Sequence, residues 1–268
     1  MMGRHGLDSS NTGAIGISCG GPLDSKRGVV MSPPNLPGWN DIPIVRMLEE
    51  RFGIRTGIHN DANACALAEW KFGAGVGTQN MVFLTFGTGL GAGLILDGKL
   101  YAGTNDNAGE LGHIRLSEFG PVGYGKCGSF EGFASGGGIA QLARFKVSEK
   151  QQMGESVAWC PPGQLDSISA HTVALAAASG DPLALEIYRI SATYLGRGLA
   201  MVIDLLNPEV IVIGSIYVRN RELMEPFVLQ EIEREALSHA RRVCSVRPAK
   251  LGEQIGDYAA LSVAANLI

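Results

Sequence analysis

The most informative stretch of this chain is TGIHNDANACALAEWKF, residues 56–72, where a short apolar run passes directly into an alanine-rich one. Residues 54–58 predict a strand that ends at His59-Asn60-Asp61, and residues 62–72 predict a helix. A carboxylate at such a junction is aimed by rigid elements on both sides, and it can accept a proton from a substrate hydroxyl. Because Asp often caps helices, Asp61 alone fits either a helix cap or a catalytic base.

Strands and helices alternate on both sides of this junction, which predicts an α/β fold. Asp41 is expected to cap a helix that lies between it and the predicted strand at 54–58, with Pro43 in the first turn of that helix. The other predicted elements are strands at 14–19, 28–31, 81–86, 92–96, 208–213 and 243–247 and helices at 171–178, 182–205, 221–237 and 256–268. Only about a dozen residues, mostly polar, precede the strand at 14–19. Such a strand normally lies beside neighbours in a sheet, so the sequence is expected to begin in the middle of a domain.

The glycines are clustered, notably in FGTGLGAG at 86–93, between two predicted strands. Backbone N–H groups of such a loop can surround a phosphate, and Thr88 adds a hydroxyl donor. No Lys follows as in a P-loop, and no helix follows as in a dinucleotide-binding fingerprint. A glycine-rich hairpin without a ligand is the alternative.

A second group of polar residues lies in glycine-rich sequence. Glu110 and His113 are three residues apart in NAGELGH, and Glu131 lies in SFEGFASGGG. Ligands rich in hydroxyl groups, such as sugars, need paired hydrogen-bond donors and acceptors of this kind. A buried, hydrogen-bonded histidine with two surface carboxylates is the alternative.

Composition excludes several classes of protein. The chain has 268 residues and a formal net charge of −4, with 46% hydrophobic and 18% charged residues. This is not a disordered composition, and it offers no basic surface for nucleic acid. There is no apolar run that could cross a membrane and no secretory signal. Five scattered cysteines make no disulfide framework, so we expect a reducing, cytoplasmic setting.

Eight motifs along the chain occur together and in a fixed order. They are NLPGW at 35–39, NDANACALAE at 60–69, FGTGLGAGLILDGKLYAG at 86–103, AGELGH at 108–113, EGFASGGG at 131–138, YLGRGLA at 194–200, LLNPEVIVIG at 205–214 and GDYAALSVAA at 256–265. Taken together, these motifs resemble the ROK family, which combines bacterial sugar kinases with sugar-responsive repressors. The resemblance implies an actin/hexokinase-like (RNase H-like) fold of two domains with a cleft between them. The expected domains are an incomplete N-terminal one, residues 1–63 with the helix 254–268 packing back on it, and a larger one, residues 64–253.

The resemblance also implies roles for individual residues, with ATP and Mg²⁺ as cofactors, a small-molecule sugar as substrate and a homodimer as assembly. Asp61 matches the catalytic base. The expected sugar-binding residues are Gly21, Asn60, Glu110, His113 and Glu131. The expected nucleotide-binding residues are Gly87, Thr88, Gly89 and Gly91 of the phosphate loop and Gly214 and Ser215 beside the adenosine.

The sequence departs from the family pattern in three places. No Asp-x-Gly-Gly-Thr phosphate loop precedes AIGISC at 14–19, so the first strands of the N-terminal domain are expected to be missing. Alignment on Glu131 places Val122, Tyr124 and Ser129 where the family has zinc-binding cysteines, with Cys127 at a non-ligand position, so no structural zinc is expected. Where the family has a run of glycines beside the adenosine, this chain reads GSIY at 214–217.

The leading hypothesis is an enzyme that phosphorylates a hexose or an N-acetylhexosamine with ATP, similar to glucokinases or to N-acetylmannosamine and N-acetylglucosamine kinases. The alternative is a catalytically impaired sugar-binding protein, either a pseudokinase or a sugar sensor. A ROK repressor is disfavoured, because the chain has no room for a helix-turn-helix and no basic patch.

Overall fold

The computed structural model describes residues 6, 8 and 10–268. The strands of this part of the chain are β1 (Ile15–Cys19), β2 (Leu23–Asp24), β3 (Val29–Val30), β4 (Thr56–Asn60), β5 (Met81–Phe86), β6 (Leu90–Leu96), β7 (Lys99–Tyr101), β8 (Val122–Gly123), β9 (Lys126–Cys127), β10 (Val210–Ile213) and β11 (Ser245–Pro248). The α-helices are α1 (Ile44–Phe52), α2 (Asp61–Phe72), α3 (Phe130–Phe133), α4 (Gly136–Gln152), α5 (Ala170–Ala178), α6 (Pro182–Leu206), α7 (Ile216–Arg219), α8 (Arg221–Glu235), α9 (Ser238–Arg241) and α10 (Ile255–Ala265).

The largest sheet has the strand order β11-β10-β5-β6-β7. Its β10 and β11 are parallel, and its β6 and β7 form an antiparallel hairpin. Asp97 and Gly98 turn that hairpin with φ angles of 50° and 70°, as a two-residue turn of this kind requires. A separate parallel pair joins β1 to β4, with Cys19 opposite Asn60. Helices and strands alternate along the chain, and the pairs β1–β4 and β10–β11 are parallel, in agreement with the predicted α/β class.

Contacts between Cα atoms divide the chain into two compact units. Unit 1 comprises residues 1–83, 92–109 and 249–268, and unit 2 comprises residues 84–91 and 110–248. These borders differ from the predicted domain border after residue 63, since α2 as a whole packs within unit 1. The predicted domains, the cleft between them and the missing strands stay predictions.

In unit 1 the strands β1 and β4 pack against α2 and α10. The packing is close, because a Cβ atom at Gly16 would collide with the backbone of Ala260. The buried carboxylate of Glu69 in α2 accepts N–H hydrogen bonds from Lys250 and Leu251, both at 2.9 Å. This carboxylate therefore ties the last segment of the unit to the helix that begins at Asp61.

The core of unit 2 forms around the long helix α6, whose side chains Ile187, Leu195 and Leu199 are fully buried. Helix α6 packs along α8, and all four residues of β10 are buried. Among the described residues, no helix of either unit is long and apolar enough to cross a membrane.

One local prediction was wrong, and one helix was not predicted. Asp41 does not cap α1, since this helix begins at Ile44 after Pro43, and Asp41 has a φ of 52°. The glycine-rich SGGG at 135–138 starts the 17-residue helix α4, which the sequence did not predict, with the Ser135 side chain accepting the N–H of Gly138 at 2.9 Å. Glycine disfavours helices by its flexibility, and here the serine cap and the tertiary contacts of the first turn outweigh that cost.

Candidate active site

The junction between β4 and α2 separates the roles of two adjacent polar residues. The Asn60 side chain caps α2, because its Oδ1 accepts the N–H of Asn63 at 2.8 Å. Asp61 is the exposed first residue of the helix, and its Oδ1 accepts only the N–H of the neighbouring Ala62 among the described residues. Asp61 is therefore not the cap, and its carboxylate is presented at the helix start without a distant partner.

Two thiols of unit 1 interact electrostatically with Asp61. Burial and the charge of Asp61 raise the pKa of Cys19, and burial together with Asp61 and Glu69 raises the pKa of Cys65 to about 12. Both thiols are thus protonated near neutral pH and are poor nucleophiles. Of these groups beside the junction, the Asp61 carboxylate is the exposed one that can accept a proton.

Other polar groups of unit 1 flank the same junction. Gly21 follows β1 and is exposed, with open space where a side chain would stand, so another molecule can approach its backbone. His59 precedes Asn60, and its Nδ1 is buried without a hydrogen-bond partner among the described residues. Burial lowers the pKa of His59, while the charge of Asp106 opposes that shift.

In unit 2, hydrogen bonds hold the loop between β5 and β6. Some join the two strands beside the loop, and others join loop carbonyl groups to the start of α4. The Thr85 hydroxyl accepts the N–H of Gly91 at 3.0 Å and donates to its carbonyl at 3.3 Å. At the start of α4, the N–H of Gly136 donates to the Gly87 carbonyl at 2.8 Å and that of Gly137 to the Thr88 carbonyl at 3.2 Å. The carbonyl groups of Gly87 and Thr88 therefore point towards α4, while the Gly89 carbonyl accepts the N–H of Gly87 within the loop.

The amide groups of the same loop suit an anion. Among the described residues, the N–H groups of Thr88 and Gly89 have no hydrogen-bond partner, and the Thr88 side chain is exposed. Amide groups presented by a tight turn form an anion-binding concavity. The loop thus fits the phosphate groups of a nucleotide, as expected from Gly87, Thr88, Gly89 and Gly91.

Ser215 follows β10 and Gly214 and has an unusual backbone conformation for a residue with a side chain, with φ 53° and ψ −113°. Its Oγ accepts a hydrogen bond from Arg219 Nη2 at 3.1 Å. The same Oγ is 3.8 Å from where a Cβ of Gly87 would stand. The predicted adenosine-binding residues and the glycine-rich loop are therefore neighbours in unit 2, and Arg219 is a positively charged neighbour that sequence reasoning missed.

Glu131 contacts the glycine-rich loop directly, since its Oε2 accepts the N–H of Leu90 at 2.9 Å. His113 is exposed, and its ring meets that of Tyr124 edge-on at 6.4 Å between centroids. Lys126 Nζ donates to the His113 carbonyl at 2.7 Å, and Glu110 is exposed at the start of the same short turn. Unit 2 thus holds these three predicted sugar-binding residues, while Gly21, Asn60 and Asp61 belong to unit 1.

The positions that align with the zinc-binding cysteines have other roles in this chain. Gln141 pairs with both backbone groups of Val122, at 2.9 and 2.8 Å, and the buried Ser129 caps α3. The Cys127 thiol donates to the Gly120 carbonyl at 3.2 Å. Among the residues that the structure describes, no group of three or more His, Cys, Asp or Glu side chains is placed to hold a metal ion.

Comparison with known proteins identifies the family of this chain. The profile described as "ROK family" matches residues 6–266. A glucokinase of Halalkalibacterium halodurans is 35% identical over 260 residues, which cover 96% of this chain and 77% of that protein. This chain therefore belongs to the ROK family.

Two solved structures extend the comparison. A ROK family glucokinase from Streptomyces griseus, in complex with glucose and AMPPNP, has a TM-score of 0.78 and 32% identity, covering 98% of this chain and 84% of that one. A ROK family transcriptional regulator, a homologue of the Escherichia coli MLC protein, has a TM-score of 0.80 and 30% identity, covering 94% of this chain and 62% of that one. The predicted α/β fold of this family is confirmed, and relatives of both kinds share it.

Proposed function

We propose that this protein phosphorylates a hydroxyl group of a hexose or an N-acetylhexosamine with ATP, with Asp61 as the catalytic base. The observation that carries the proposal is the division of roles at the start of α2. Asn60 caps the helix, and Asp61 is left as an exposed carboxylate on a rigid element. Transfer of a phosphoryl group to an alcohol needs such a group to accept the hydroxyl proton.

The glycine-rich loop supports the nucleotide half of the proposal. The amides of Thr88 and Gly89 would donate to the terminal phosphates, and Gly214 and Ser215 would hold the nucleoside. When bound, ATP supplies the phosphoryl group, and Mg²⁺ usually accompanies it with only one or two protein carboxylates. Phosphoryl transfer depends on positioning and electrostatic stabilisation, which a loop already fixed by α4 and Thr85 can provide.

The sugar half of the proposal rests on the residues that the resemblance to the family assigns to the sugar. In unit 1 the Asn60 amide still has its Nδ2 donor after capping the helix, and the backbone of Gly21 is open. In unit 2, Glu110, His113 and the second oxygen of Glu131 would accept or donate hydrogen bonds to sugar hydroxyls. Which sugar is bound depends on the orientation of single hydroxyl groups, so we propose only the class.

A coupled assay of ADP release with glucose, N-acetylglucosamine and N-acetylmannosamine tests the proposal. We expect turnover of at least one sugar. In Asp61→Asn, kcat should fall by about 10²–10⁴-fold, the usual contribution of a general base, while sugar affinity survives. Asp257→Asn is the matched control, since Asp257 is also an exposed acid in the first turn of a unit 1 helix, and it should leave kcat unchanged. Activity of Asp61→Asn above about a tenth of wild type would reject this role.

The second candidate function is a sugar-binding protein without significant kinase activity. The similarity to a ROK family transcriptional regulator favours it. Calorimetry with the same three sugars separates the candidates, because this alternative requires sugar binding with no ADP release for any of them.

A further inference from the structure

Glu131 is the predicted sugar-binding residue that also contacts the predicted phosphate loop. Its Oε2 accepts the N–H of Leu90 at 2.9 Å, where the loop returns to β6. The two residues are 41 positions apart in the sequence, so this hydrogen bond is a tertiary contact. A hydrogen bond to a charged acceptor is stronger than a neutral one, and this one fixes the orientation of the loop's last amide.

Three glycines lie close to the side chain of Glu131. A Cβ at Gly89 would be 2.7 Å from Oε2, and Cβ atoms at Gly112 and Gly123 would be 3.3 and 2.8 Å from the Cβ of Glu131. A side chain at Gly89 would therefore displace the carboxylate from Leu90. In three separate segments of unit 2, glycine occupies the position that lies beside Glu131.

The backbone of Glu131 is equally constrained. It lies in the short helix α3, which Ser129 caps by accepting the N–H of Gly132 at 3.1 Å. The preceding Phe130 is 1% exposed, and its N–H donates to the Ile114 carbonyl at 2.7 Å. The carboxylate is thus held by rigid surroundings, while the residue itself stays half-buried.

The two oxygens of Glu131 differ in their surroundings. Oε2 is bound to Leu90, whereas Oε1 has no partner in the described part of the chain. Gly112, which precedes the exposed His113, passes directly beside the Glu131 side chain. One carboxylate therefore contacts the loop through one oxygen and is open to a ligand through the other.

We propose that Glu131 is a positioning residue that couples the two substrates, with Oε2 fixing the phosphate loop and Oε1 accepting a sugar hydroxyl. The inference rests on the proposed sugar and nucleotide sites. A sugar bound to Oε1 holds the carboxylate in place and with it the Leu90 amide. Each ligand then raises the affinity for the other, and the factor is the same in both directions.

The test measures AMPPNP affinity with and without saturating glucose, and glucose affinity with and without AMPPNP. In the wild type we expect each ligand to tighten the other by at least about 5-fold, the lower end of measured couplings. In Glu131→Ala the affinity for AMPPNP alone should fall and the coupling factor should approach one. Glu131→Gln keeps a carbonyl acceptor for Leu90, so it should restore AMPPNP affinity but not glucose affinity.

A second variant tests the same contact from the side of the loop. The added Cβ of Gly89→Ala would meet Oε2, so this change in the phosphate loop should weaken glucose binding. Gly137→Ala is its matched control, because a Cβ there would make only ordinary contact with the loop, 3.4 Å from the Thr88 carbonyl. Glu118→Gln, an exposed carboxylate nearby in the chain, controls for charge. Thermal unfolding of each variant shows that it is folded.

Three results would overturn the inference without touching the proposed function. One is unchanged AMPPNP affinity in Glu131→Ala, and another is a coupling factor in that variant equal to the wild-type one. The third is a wild type that binds glucose and AMPPNP independently, which would reject the coupling and leave the proposed function standing. A wild type that binds neither glucose nor the other two sugars nor AMPPNP would reject the proposed function and this inference together.

Discussion

Replacing Glu69 tests how the end of the chain is fixed to the helix that carries Asp61. Its carboxylate is 0% exposed and accepts three backbone N–H groups: Lys250 and Leu251 at 2.9 Å and Ala74 at 2.7 Å. In Glu69→Ala these amides lose a charged acceptor, which costs about 1–3 kcal/mol for each group that stays buried. Lys250 is exposed, so its N–H can form a hydrogen bond with water in the variant. We therefore expect a total loss of about 3–5 kcal/mol in the free energy of unfolding.

Thermal and urea unfolding measure this loss. For a chain of this size a change of 1 kcal/mol shifts the Tm by about 2–4 °C, so Glu69→Ala should lower it by roughly 6–20 °C. Glu69→Gln keeps an acceptor oxygen and should lose about half as much. The control is Glu50→Ala, since Glu50 is an exposed partner of Arg46 at 3.7 Å, and it should cost no more than about 1 kcal/mol.

The reasoning would be refuted if Glu69→Ala unfolded within about 1 kcal/mol of the wild type. That result would mean that the amides of residues 250 and 251 find other acceptors. It would also mean that the packing of α10 on β1 and α2 holds the last segment without help from Glu69.

Three further predictions concern other groups. Ser215→Gly should be more stable than Ser215→Ala by about 1 kcal/mol in urea unfolding, since both lose the Arg219 contact but only glycine relieves the strained backbone; equal stabilities would contradict this. Burial lowers the pKa of His59 below its ordinary 6.5, so the unfolded state takes up a proton at a higher pH than the folded state does. The Tm should therefore fall as the pH drops below 6.5. His59→Gln should reduce that fall, and an unchanged pH profile would contradict the assignment. Elemental analysis should find no stoichiometric zinc, because thiolates are replaced at Val122, Tyr124 and Ser129.

Much of the fold follows from patterns within single elements. The strands β5 and β10 are apolar runs with all or nearly all residues buried, and such runs are recognisable without knowledge of their neighbours. The start of α4 is different, because three consecutive glycines argue against a helix locally. These glycines contact a distant part of the chain, because the amides of Gly136 and Gly137 donate hydrogen bonds to the carbonyl groups of residues 87 and 88. A pattern within one element cannot predict such a contact.

In the candidate site, too, the sequence identifies the residues but not their separate roles. A polar pair follows the strand predicted at 54–58, but both Asn60 and Asp61 are good capping residues, and spacing alone does not separate them. The backbone places Asn60 at the cap position, and Asp61 becomes the exposed residue. Likewise Glu131 is predicted to bind the sugar from its residue type and the family resemblance, whereas its hydrogen bond to the Leu90 amide depends on a contact between distant segments.

The kinase and sensor hypotheses differ in what each would require of these residues. A sugar sensor needs acceptors such as Glu131 and His113, but it needs neither a proton acceptor nor amides directed at a phosphate. In the described residues the Asp61 carboxylate accepts a hydrogen bond only from the amide of its neighbour Ala62. The carbonyl groups of Gly87 and Thr88 bind to α4, and in the described part of the chain the amides of Thr88 and Gly89 have no hydrogen-bond partner. A sugar sensor would not need these groups and a kinase would use both, so their arrangement favours the kinase.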